Sequence, residues 1–474
     1  MAMSYSTVIQ RIECEDIVTF INASFACTRQ QEFYSDGQTQ AFSIEFLHEY
    51  ILGNYRRLYA RTLAAGINHF NQAQIIVNLL AAGSPGSAQD RAEEGALIAA
   101  TLQALPTNRA FQVLKKLQQR RVNNRRTRAI IRRYLTQHKE PVFAAVKYRR
   151  KFRAAVAHAH LKLEEEFGPF LFSLKQQYHF TNPLFESYRK AHYSHDAIYE
   201  LPYTVAEGLA AKHRIPREKF LAGIEKQMTV GEKFRLQKAA EKAKNVTLEI
   251  DINKIEITRL ALYILSLPIT VRRERYEKLH QAMTESATRA LRRVPMTLGK
   301  VATVLDASYS MSGSTKKKQR PLGVALAASY LLRAASQAYR AFWTYPVKHE
   351  LLVQARGQTP LGERLLDALT WQPELVVIIS DGFENDPPSG AAEVARVYRD
   401  KLEPNYHTDI IHTNPVFDAE NYTPRQIGAA IPTVGLRDAE DIPTMLGFAR
   451  FASGVVPLSV LEDYLSKRVE MVLG

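Results

Sequence analysis

The stretch Val301-Ala302-Thr303-Val304-Leu305-Asp306-Ala307-Ser308-Tyr309-Ser310 decides the fold of the C-terminal part of this chain. A short run of apolar, β-favouring residues ends here in an aspartate that is followed by two alternating serines. Near-continuous apolar strands occur in parallel sheets whose two faces are both covered. The sequence therefore predicts a buried strand that brings Asp306, Ser308 and Ser310 to one edge of a sheet.

The pattern of this stretch continues toward the C-terminus. It predicts a second buried strand over Leu375–Ile379, a strand-like run over Thr408–Ile411, and helices over Pro321–Arg340 and Gly390–Leu402. Strands that alternate with helices in this way are typical of a doubly wound parallel sheet. We place this α/β domain at residues 299–474.

Two further polar positions belong to the same predicted sheet edge. Thr359 lies in Gly357-Gln358-Thr359-Pro360-Leu361-Gly362 at the start of a helix, and Asp381 directly follows the second strand in Ser380-Asp381-Gly382. Open α/β sheets bind their ligands at the carboxyl ends of the strands. The predicted site consists of oxygen donors, two carboxylates and three hydroxyls, which suit Mg²⁺ or Mn²⁺ better than Zn²⁺. Its residues are Asp306, Ser308, Ser310, Thr359 and Asp381. The alternative is a polar cluster of capped loops without an ion.

In this order and on these elements, the five residues resemble the metal-ion-dependent adhesion site of von Willebrand factor A domains. The resemblance implies metal-assisted binding of a carboxylate or a similar anion, and not hydrolysis. The segment Thr315-Lys316-Lys317-Lys318-Gln319-Arg320 follows the metal loop. Its cations either attract an anionic ligand to the site or form a solvated loop.

The positive charge of the protein is concentrated in one segment. The chain has 474 residues and a net charge of +15, and residues 115–153 contain fifteen basic residues against one acid, Glu140. Self-repulsion within such a segment is relieved by an anionic partner, and the arginines favour bidentate contacts with phosphates. We therefore predict that this segment binds RNA, with an acidic protein, a membrane surface or an ordinary solvated helix face as alternatives. The predicted RNA-binding residues are Lys115, Lys116, Arg120, Arg121, Arg125, Arg126, Arg128, Arg132, Arg133, Lys147, Arg149, Arg150, Lys151 and Arg153.

The apolar residues of the basic segment keep helical spacing, so the segment is not a disordered basic tail. Three apolar stripes predict three helices. The stripes are Ala110, Phe111, Val113, Leu114 and Leu117; Ile130, Ile131, Tyr134 and Leu135; and Ala145, Tyr148, Phe152, Ala155 and Val156. Arg125, Arg128 and Arg132 share the face of the second helix opposite its apolar stripe.

The first 295 residues repeat helical periodicity, with breaks at proline and glycine. Short helices separated in this way are typical of an α-helical solenoid or ring of HEAT-like repeats. We place the helical domain at residues 1–295. The stretch from Val246 to Ile257 alternates apolar and polar residues before turning helical, and its pattern fits a strand as well as a helix.

A helical domain followed by an A domain resembles the domain order of the TROVE-type Ro autoantigen family and its bacterial relatives. The resemblance is carried by helical repeats, by a helix over Thr284–Leu291 followed by Val294-Pro295 and Gly299-Lys300-Val301, and by the A domain. It implies a helical ring that is closed by the A domain. The ring, with its basic outer surface, would bind small noncoding Y RNAs and the ends of misfolded RNAs. The basic segment itself is predicted from charge and spacing alone.

Several classes of protein do not fit the sequence. The two cysteines, Cys14 and Cys27, exclude a disulfide framework and a multi-cysteine zinc site, and they suit a reducing, cytoplasmic location. No leader and no membrane-spanning run is predicted. A Walker loop, a nucleophile elbow and a catalytic triad are absent from the sequence, so we expect no enzyme.

The sequence thus predicts an RNA-binding scaffold that acts as a monomer in a ribonucleoprotein. Its metal site would close the ring or recruit a partner protein. The alternative is a metal-dependent protein-interaction adaptor for an ATPase or nuclease system. A hydrolase acting on RNA or phosphate esters at the metal is the third hypothesis.

Overall fold

The computed structural model describes residues 5–163, 166–233, 236, 252–401, 407–452 and 456–474. The chain divides into two compact units, of which the first comprises residues 1–71 and 252–472 and the second comprises residues 72–251. A helical region precedes a parallel sheet along the chain, so the predicted fold class is confirmed. Residues 246–251 of the ambiguous stretch before Ile257 lie outside the described residues.

Helices dominate both units. In chain order they are α1 (Tyr5–Ala26), α2 (Gly37–Asn54), α3 (Arg56–Arg61), α4 (His69–Ala81), α5 (Ala88–Ala104), α6 (Thr107–Gln119), α7 (Arg125–Thr136), α8 (Pro141–Lys147), α9 (Arg149–His158), α10 (Phe167–Phe172), α11 (Pro183–Lys190), α12 (Tyr203–Lys212), α13 (Arg217–Ile224), α14 (Ile257–Ser266), α15 (Ile269–Glu274), α16 (Tyr276–Arg293), α17 (Arg320–Ala335), α18 (Leu361–Thr370), α19 (Gly390–Lys401), α20 (Ile442–Ala449) and α21 (Leu458–Leu473). Among the described residues, no helix combines the length and apolar character needed to cross a membrane.

The strands belong to the first unit. They are β1 (Leu298–Leu305), β2 (Ser336–Trp343), β3 (Leu375–Ile379), β4 (Asp409–Asn414), β5 (Phe417–Asp418), β6 (Thr423–Pro424) and β7 (Thr433–Gly435). Five of them form a sheet in the order β2-β1-β3-β4-β7, and all neighbours in it are parallel. Leu305 at the end of β1 is in register with Ile379 at the end of β3. The loops that carry Asp306 and Asp381 therefore leave the sheet at the same edge.

Helices cover both faces of this sheet. α18 and α19 pack on the face that contains Val304 and Ile378. α17 contacts β1 and β2, and α14 and α16 cover α17 in turn. The approach of α14 requires a glycine, because a Cβ at Gly323 would lie 2.6 Å from the side chain of Leu262.

The predicted helix over Pro321–Arg340 is wrong at its C-terminal end. α17 ends at Ala335, and the chain continues from Ser336 as β2, which pairs with β1. β2 is an edge strand with exposed residues such as Gln337 and Arg340. An edge strand is not covered like the central strands, so it lacks the apolar run that marks β1 and β3.

The first helices of the chain pack with the sheet. α1 contacts β7 at the sheet edge, where the side chain of Asn22 donates a 3.1 Å hydrogen bond to the carbonyl of Thr433. The C-terminal helix α21 contacts the segment after α3, because Arg468 donates a 3.1 Å hydrogen bond to the carbonyl of Ala64. By their contacts, residues 1–71 and 252–295 belong to the unit that contains the sheet, while the domain boundaries 1–295 and 299–474 stay a prediction from the sequence.

Candidate metal centre and nucleic-acid interface

Asp306 begins a tightly hydrogen-bonded loop after β1. The backbone N–H of Ser308 donates a 2.8 Å hydrogen bond to Asp306 Oδ1, and the hydroxyl of Ser380 donates a 2.8 Å hydrogen bond to Asp306 Oδ2. The hydroxyl oxygens of Ser308 and Ser310 lie 3.2 Å apart. Three of the five predicted metal ligands are thus brought together by this loop.

Asp381 faces the same loop from the end of β3. Its Oδ1 accepts a 3.1 Å hydrogen bond from the N–H of Phe383, whereas its Oδ2 is buried and has no hydrogen-bond partner. Burial and the nearby Asp381 carboxylate raise the pKa of Asp306, and burial raises the pKa of Asp381 as well. Two buried carboxylates that raise each other's cost of ionisation would be stabilised by a cation between them.

Thr359 completes the predicted set. The N–H of Tyr309 donates to the carbonyl of Gly357 over 3.3 Å, which holds the Thr359 loop against the Asp306 loop. On its other side, the N–H of Thr359 donates a 2.8 Å hydrogen bond to Asn385 in the loop after β3. The buried Thr359 therefore lies between the two loops that carry the aspartates.

These side chains fit a hard divalent cation. Carboxylate and hydroxyl oxygens suit Mg²⁺ or Mn²⁺, and such an ion would satisfy Asp381 Oδ2. Among the described residues, no group of three or more His, Cys, Asp or Glu side chains is arranged to hold a metal ion. The fit therefore depends on the mixed set of carboxylates and hydroxyls that the sequence predicts.

Three residues that sequence reasoning missed lie beside this site. Tyr34, Phe383 and Arg425 line a cavity of about 250 Å³ together with Asp381. The rings of Tyr34 and Phe383 have centroids 3.9 Å apart, and the Arg425 guanidinium lies 3.8 Å from the centroid of Phe383. No local sequence signal marks Tyr34, because it precedes α2 and is far from Asp381 along the chain.

The lysines of residues 315–320, after the metal loop, differ from one another in exposure. Lys317 is buried and forms an ion pair with the buried Glu32 of the α1–α2 connection. Next to it, Ser314 donates a 2.7 Å hydrogen bond to the carbonyl of Gln31. Only Lys316 and Lys318 are exposed as expected for cations on a surface loop. Lys317 is therefore neither solvated nor available to a ligand.

The apolar stripes of the basic segment are buried as predicted. In the second unit, α6 packs against α9, and α7 packs against α5. The buried positions are those of the stripes on α6, α7, α8 and α9, and Tyr148 alone among the stripe residues is half-buried. The three predicted helical stretches are confirmed, the third of them as the pair α8 and α9.

The fourteen predicted RNA-binding residues separate into two groups by exposure. The exposed ones are Lys115, Lys116, Arg120, Arg121, Arg125, Arg132, Arg133, Arg150 and Arg153. The half-buried ones are Arg126, Arg128, Lys147, Arg149 and Lys151. The exposed group presents cations to solvent from α6, α7 and α9 and from the turn after α6.

Three members of the half-buried group have structural partners. Arg126 forms a 2.7 Å ion pair with the buried Glu94 of α5, and Lys147 forms a 3.3 Å ion pair with Glu232. Arg149 donates a 2.7 Å hydrogen bond to the carbonyl of Phe170 in α10, and burial lowers its pKa. These cations stabilise helix packing and cannot also serve as freely placed phosphate ligands.

Cations from different helices meet in two places. On α6 and α9, the pKa of Lys151 is lowered by burial and by the nearby charges of Lys115 and Arg109. On α5 and α7, Arg91, Arg125, Arg126 and Arg133 line a groove. Arg91 and Arg109 were not predicted, because both lie before the charged segment in the sequence.

Comparisons with known proteins bear on the fold. No family model matches the sequence, and no curated protein matches it. Among solved structures, the crystal structure of the Deinococcus radiodurans Ro (RSR) protein is similar, with a TM-score of 0.53 and 14% sequence identity. The similarity covers 87% of this chain and 94% of that chain. The resemblance to Ro proteins that the motifs suggest is thus confirmed for the fold.

Proposed function

We propose that this protein is an RNA-binding scaffold that holds small noncoding or misfolded RNA on the basic surface of α6, α7 and α9. The observation that carries the proposal is the group of nine exposed cations on and beside these helices. Their chemistry suits phosphates, since exposed arginines and lysines without nearby acids attract a polyanion. The likeness of fold to a Ro protein supports the same function.

Charge reversal of Arg121, Arg125 and Arg132 tests this proposal. All three are exposed, and none forms an ion pair with a described residue, so their replacement by Glu leaves the helix packing intact. We expect the affinity for a small structured RNA to fall by about 100-fold. The slope of log K against log salt should decrease by about 2 to 3, because each lost phosphate contact contributes roughly 0.7 to 0.9.

A matched variant controls for the change in net charge. Lys175, Lys212 and Lys219 are exposed cations of the same unit outside the basic segment. Their simultaneous replacement by Glu changes the net charge equally and should leave RNA affinity close to that of the wild type. Equal losses in the two triple variants would mean that binding depends on overall charge and not on this surface.

We also propose that the site around Asp306 and Asp381 holds Mg²⁺ or Mn²⁺. The observation in favour is the buried Asp381 Oδ2, which has no hydrogen-bond partner. A bound ion would satisfy this oxygen and supply a Lewis-acidic position for a carboxylate from a partner protein. Arg425 at the wall of the adjoining cavity is already paired with Asp418 at 3.0 Å, so the attraction of the partner's carboxylate would come from the ion itself. The second candidate function is therefore a metal-dependent adaptor for a protein partner.

Thermal unfolding with and without Mn²⁺ tests the metal site. We expect saturating Mn²⁺ to raise the melting temperature of the wild type, because a ligand that binds only the folded state stabilises it. Asp381→Asn should abolish this rise. Without metal, Asp381→Asn should melt higher than the wild type, since burial disfavours the charged form of this carboxyl group and raises its pKa. The exposed Asp463 provides the control, as Asp463→Asn should keep the full response to Mn²⁺.

The two functions are compatible, since one surface binds RNA while the other binds a partner. We propose that a single chain is sufficient for the ribonucleoprotein and that it acts in the cytoplasm without catalysis. A Mn²⁺-dependent turnover of RNA that is lost in Asp381→Ala would contradict the non-enzymatic part of this proposal.

A further inference from the structure

A groove on the second unit combines cations with an apolar floor. It lies between α5, α7 and the loop over residues 83–87, and its volume is about 720 Å³. This volume falls in the range of about 300 to 1,000 Å³ that is typical of small-molecule sites. Inorganic phosphate would fill only a small part of it.

The rim of the groove is positively charged. Arg125 and Arg133 lie two helical turns apart on α7, and neither forms an ion pair with a described residue. Arg126 is fixed by its ion pair with Glu94, and its Nη2 is buried without a hydrogen-bond partner. Arg125 and Arg126 lie in the first turn of α7, where the helix dipole adds to the attraction of an anion, whereas Arg133 lies in its last turn.

Other contacts fix the shape of the groove. Arg91 donates hydrogen bonds of 3.2 Å and 2.7 Å to the carbonyls of Pro85 and Gly86, which holds the loop that forms one wall. Asn124 caps α7 by accepting a 2.8 Å hydrogen bond from the N–H of Thr127. The groove is therefore built from ordered elements.

The floor of the groove is apolar, and two of its three residues are small. Ala99 and Ile130 are buried beneath it, and Gly95 of α5 presents no side chain. A Cβ at Gly95 would meet no atom within 4 Å, so open space lies above this part of the floor. Every nucleobase has a flat π-face. Such a face can pack on this apolar surface.

We propose that this groove binds a nucleotide, with the base against Ala99 and Ile130 and the phosphate on Arg125 and Arg133. An acidic peptide could pair with the arginines of the rim, but its carboxylates would gain nothing from the apolar floor. The nucleotide is either a unit of the bound RNA strand or a free nucleoside monophosphate, and the chemistry of recognition is the same. The first source depends on the RNA-binding function proposed above, and the second does not.

Gly95→Leu tests the proposal by filling the groove without changing charge. Its matched control is Gly208→Leu on α12, where a Cβ also meets no atom within 4 Å. Both changes replace a helical glycine by a better helix former, so neither should impair folding. The probes are AMP, a single-stranded RNA of about 12 nucleotides and a fully paired RNA duplex.

We expect Gly95→Leu to weaken the binding of AMP, of single-stranded RNA or of both by about tenfold, as measured by calorimetry and by fluorescence anisotropy. The duplex affinity, the salt dependence and all affinities of Gly208→Leu should stay at their wild-type values. A loss confined to RNA identifies the strand as the source of the nucleotide, and a loss confined to AMP identifies the free nucleotide.

Wild-type affinity of Gly95→Leu for both AMP and single-stranded RNA would overturn the proposal. If the Arg121, Arg125 and Arg132 triple variant nevertheless lost RNA binding, the RNA-binding function would stand without the groove. If the wild type bound AMP but no RNA, and Gly95→Leu lost AMP, the groove would stand without the RNA-binding function.

Discussion

Lys317 is buried in an ion pair, although its neighbours Lys316 and Lys318 are exposed. The sequence places it in a basic loop, yet its side chain is 5% exposed and pairs with Glu32, whose side chain is 2% exposed. Burial raises the pKa of Glu32, and the charge of Lys317 opposes this change. The pair joins the α1–α2 connection to the metal loop.

Removal of one partner of this pair should be costly. We expect Lys317→Ala to lower the free energy of unfolding by about 3 to 5 kcal/mol, because it leaves the Glu32 carboxylate buried without its counter-ion. The double variant Glu32→Gln with Lys317→Met should recover most of the loss. Urea denaturation measures both effects, and Lys318→Ala at the exposed neighbouring position should change stability by less than about 0.5 kcal/mol.

His412 is a second residue whose environment has a measurable consequence. It is fully buried in β4, where its Nε2 donates to the carbonyl of Ser380 over 3.1 Å and its Nδ1 lies 3.1 Å from the hydroxyl of Thr433. Burial lowers its pKa from 6.5 to about 4. The unfolded chain therefore binds more protons than the folded protein between these two values.

Stability should accordingly depend on pH through His412. The contribution of His412 is fully present above about pH 6.5 and is lost as the pH falls toward 4, and it is of order 3 kcal/mol. His412→Gln should lose this part of the pH dependence of the free energy of unfolding. The exposed His407 supplies the comparison, because His407→Gln should retain it. Identical pH profiles for the wild type and His412→Gln would contradict the prediction.

At the scale of elements, the sequence predicts best what is locally encoded. The loop after β1 could be predicted because a strand pattern and the alternation Asp306, Ser308, Ser310 occupy one short stretch. The stripes of α6 and α7 could be predicted for the same reason, since each helix carries its own amphipathic spacing. Strand β2 could not be predicted in this way, because its pairing with β1 overrides the helical spacing that continues past Ala335.

The partners of the basic residues also lie beyond local reasoning. Arg125 and Arg126 are adjacent arginines, and the sequence offers no reason to treat them differently. Only the packing of α7 on α5 places Glu94 beside Arg126 and leaves Arg125 exposed. Arg149 likewise finds the carbonyl of Phe170 through the contact of α9 with α10. The composition of the candidate surface is therefore predictable, whereas the subset of its cations that stays exposed is not.

At the scale of the whole molecule, the two candidate functions occupy different compact units. The predicted metal ligands belong to the unit of residues 1–71 and 252–472, and the basic segment belongs to residues 72–251. The described contacts of each candidate site come from its own unit. The two proposed activities can therefore be tested with separate sets of variants.

Variants in one unit should therefore leave the other activity unchanged. We expect Asp306→Ala to abolish the response to Mn²⁺ and to keep RNA affinity within about twofold of the wild type. The Arg121, Arg125 and Arg132 triple variant should show the converse pattern. Electrophoretic mobility shift and Mn²⁺ titration of the same two preparations measure both, and a loss of RNA binding in Asp306→Ala would reveal coupling between the sites.

The contact of α1 with β7 has a consequence for the order of events during synthesis. Asn22 and Thr433 are separated by 411 positions, so the ribosome needs about 20 to 80 s to deliver the partner strand after α1 has emerged. During that interval the apolar face of α1 has no sheet to cover it, whereas residues 72–251 are already available as a continuous stretch that can fold first. The face of α1 that packs on β7 thus stays uncovered for most of the synthesis of the chain, although α2, which also contacts α1, follows it directly.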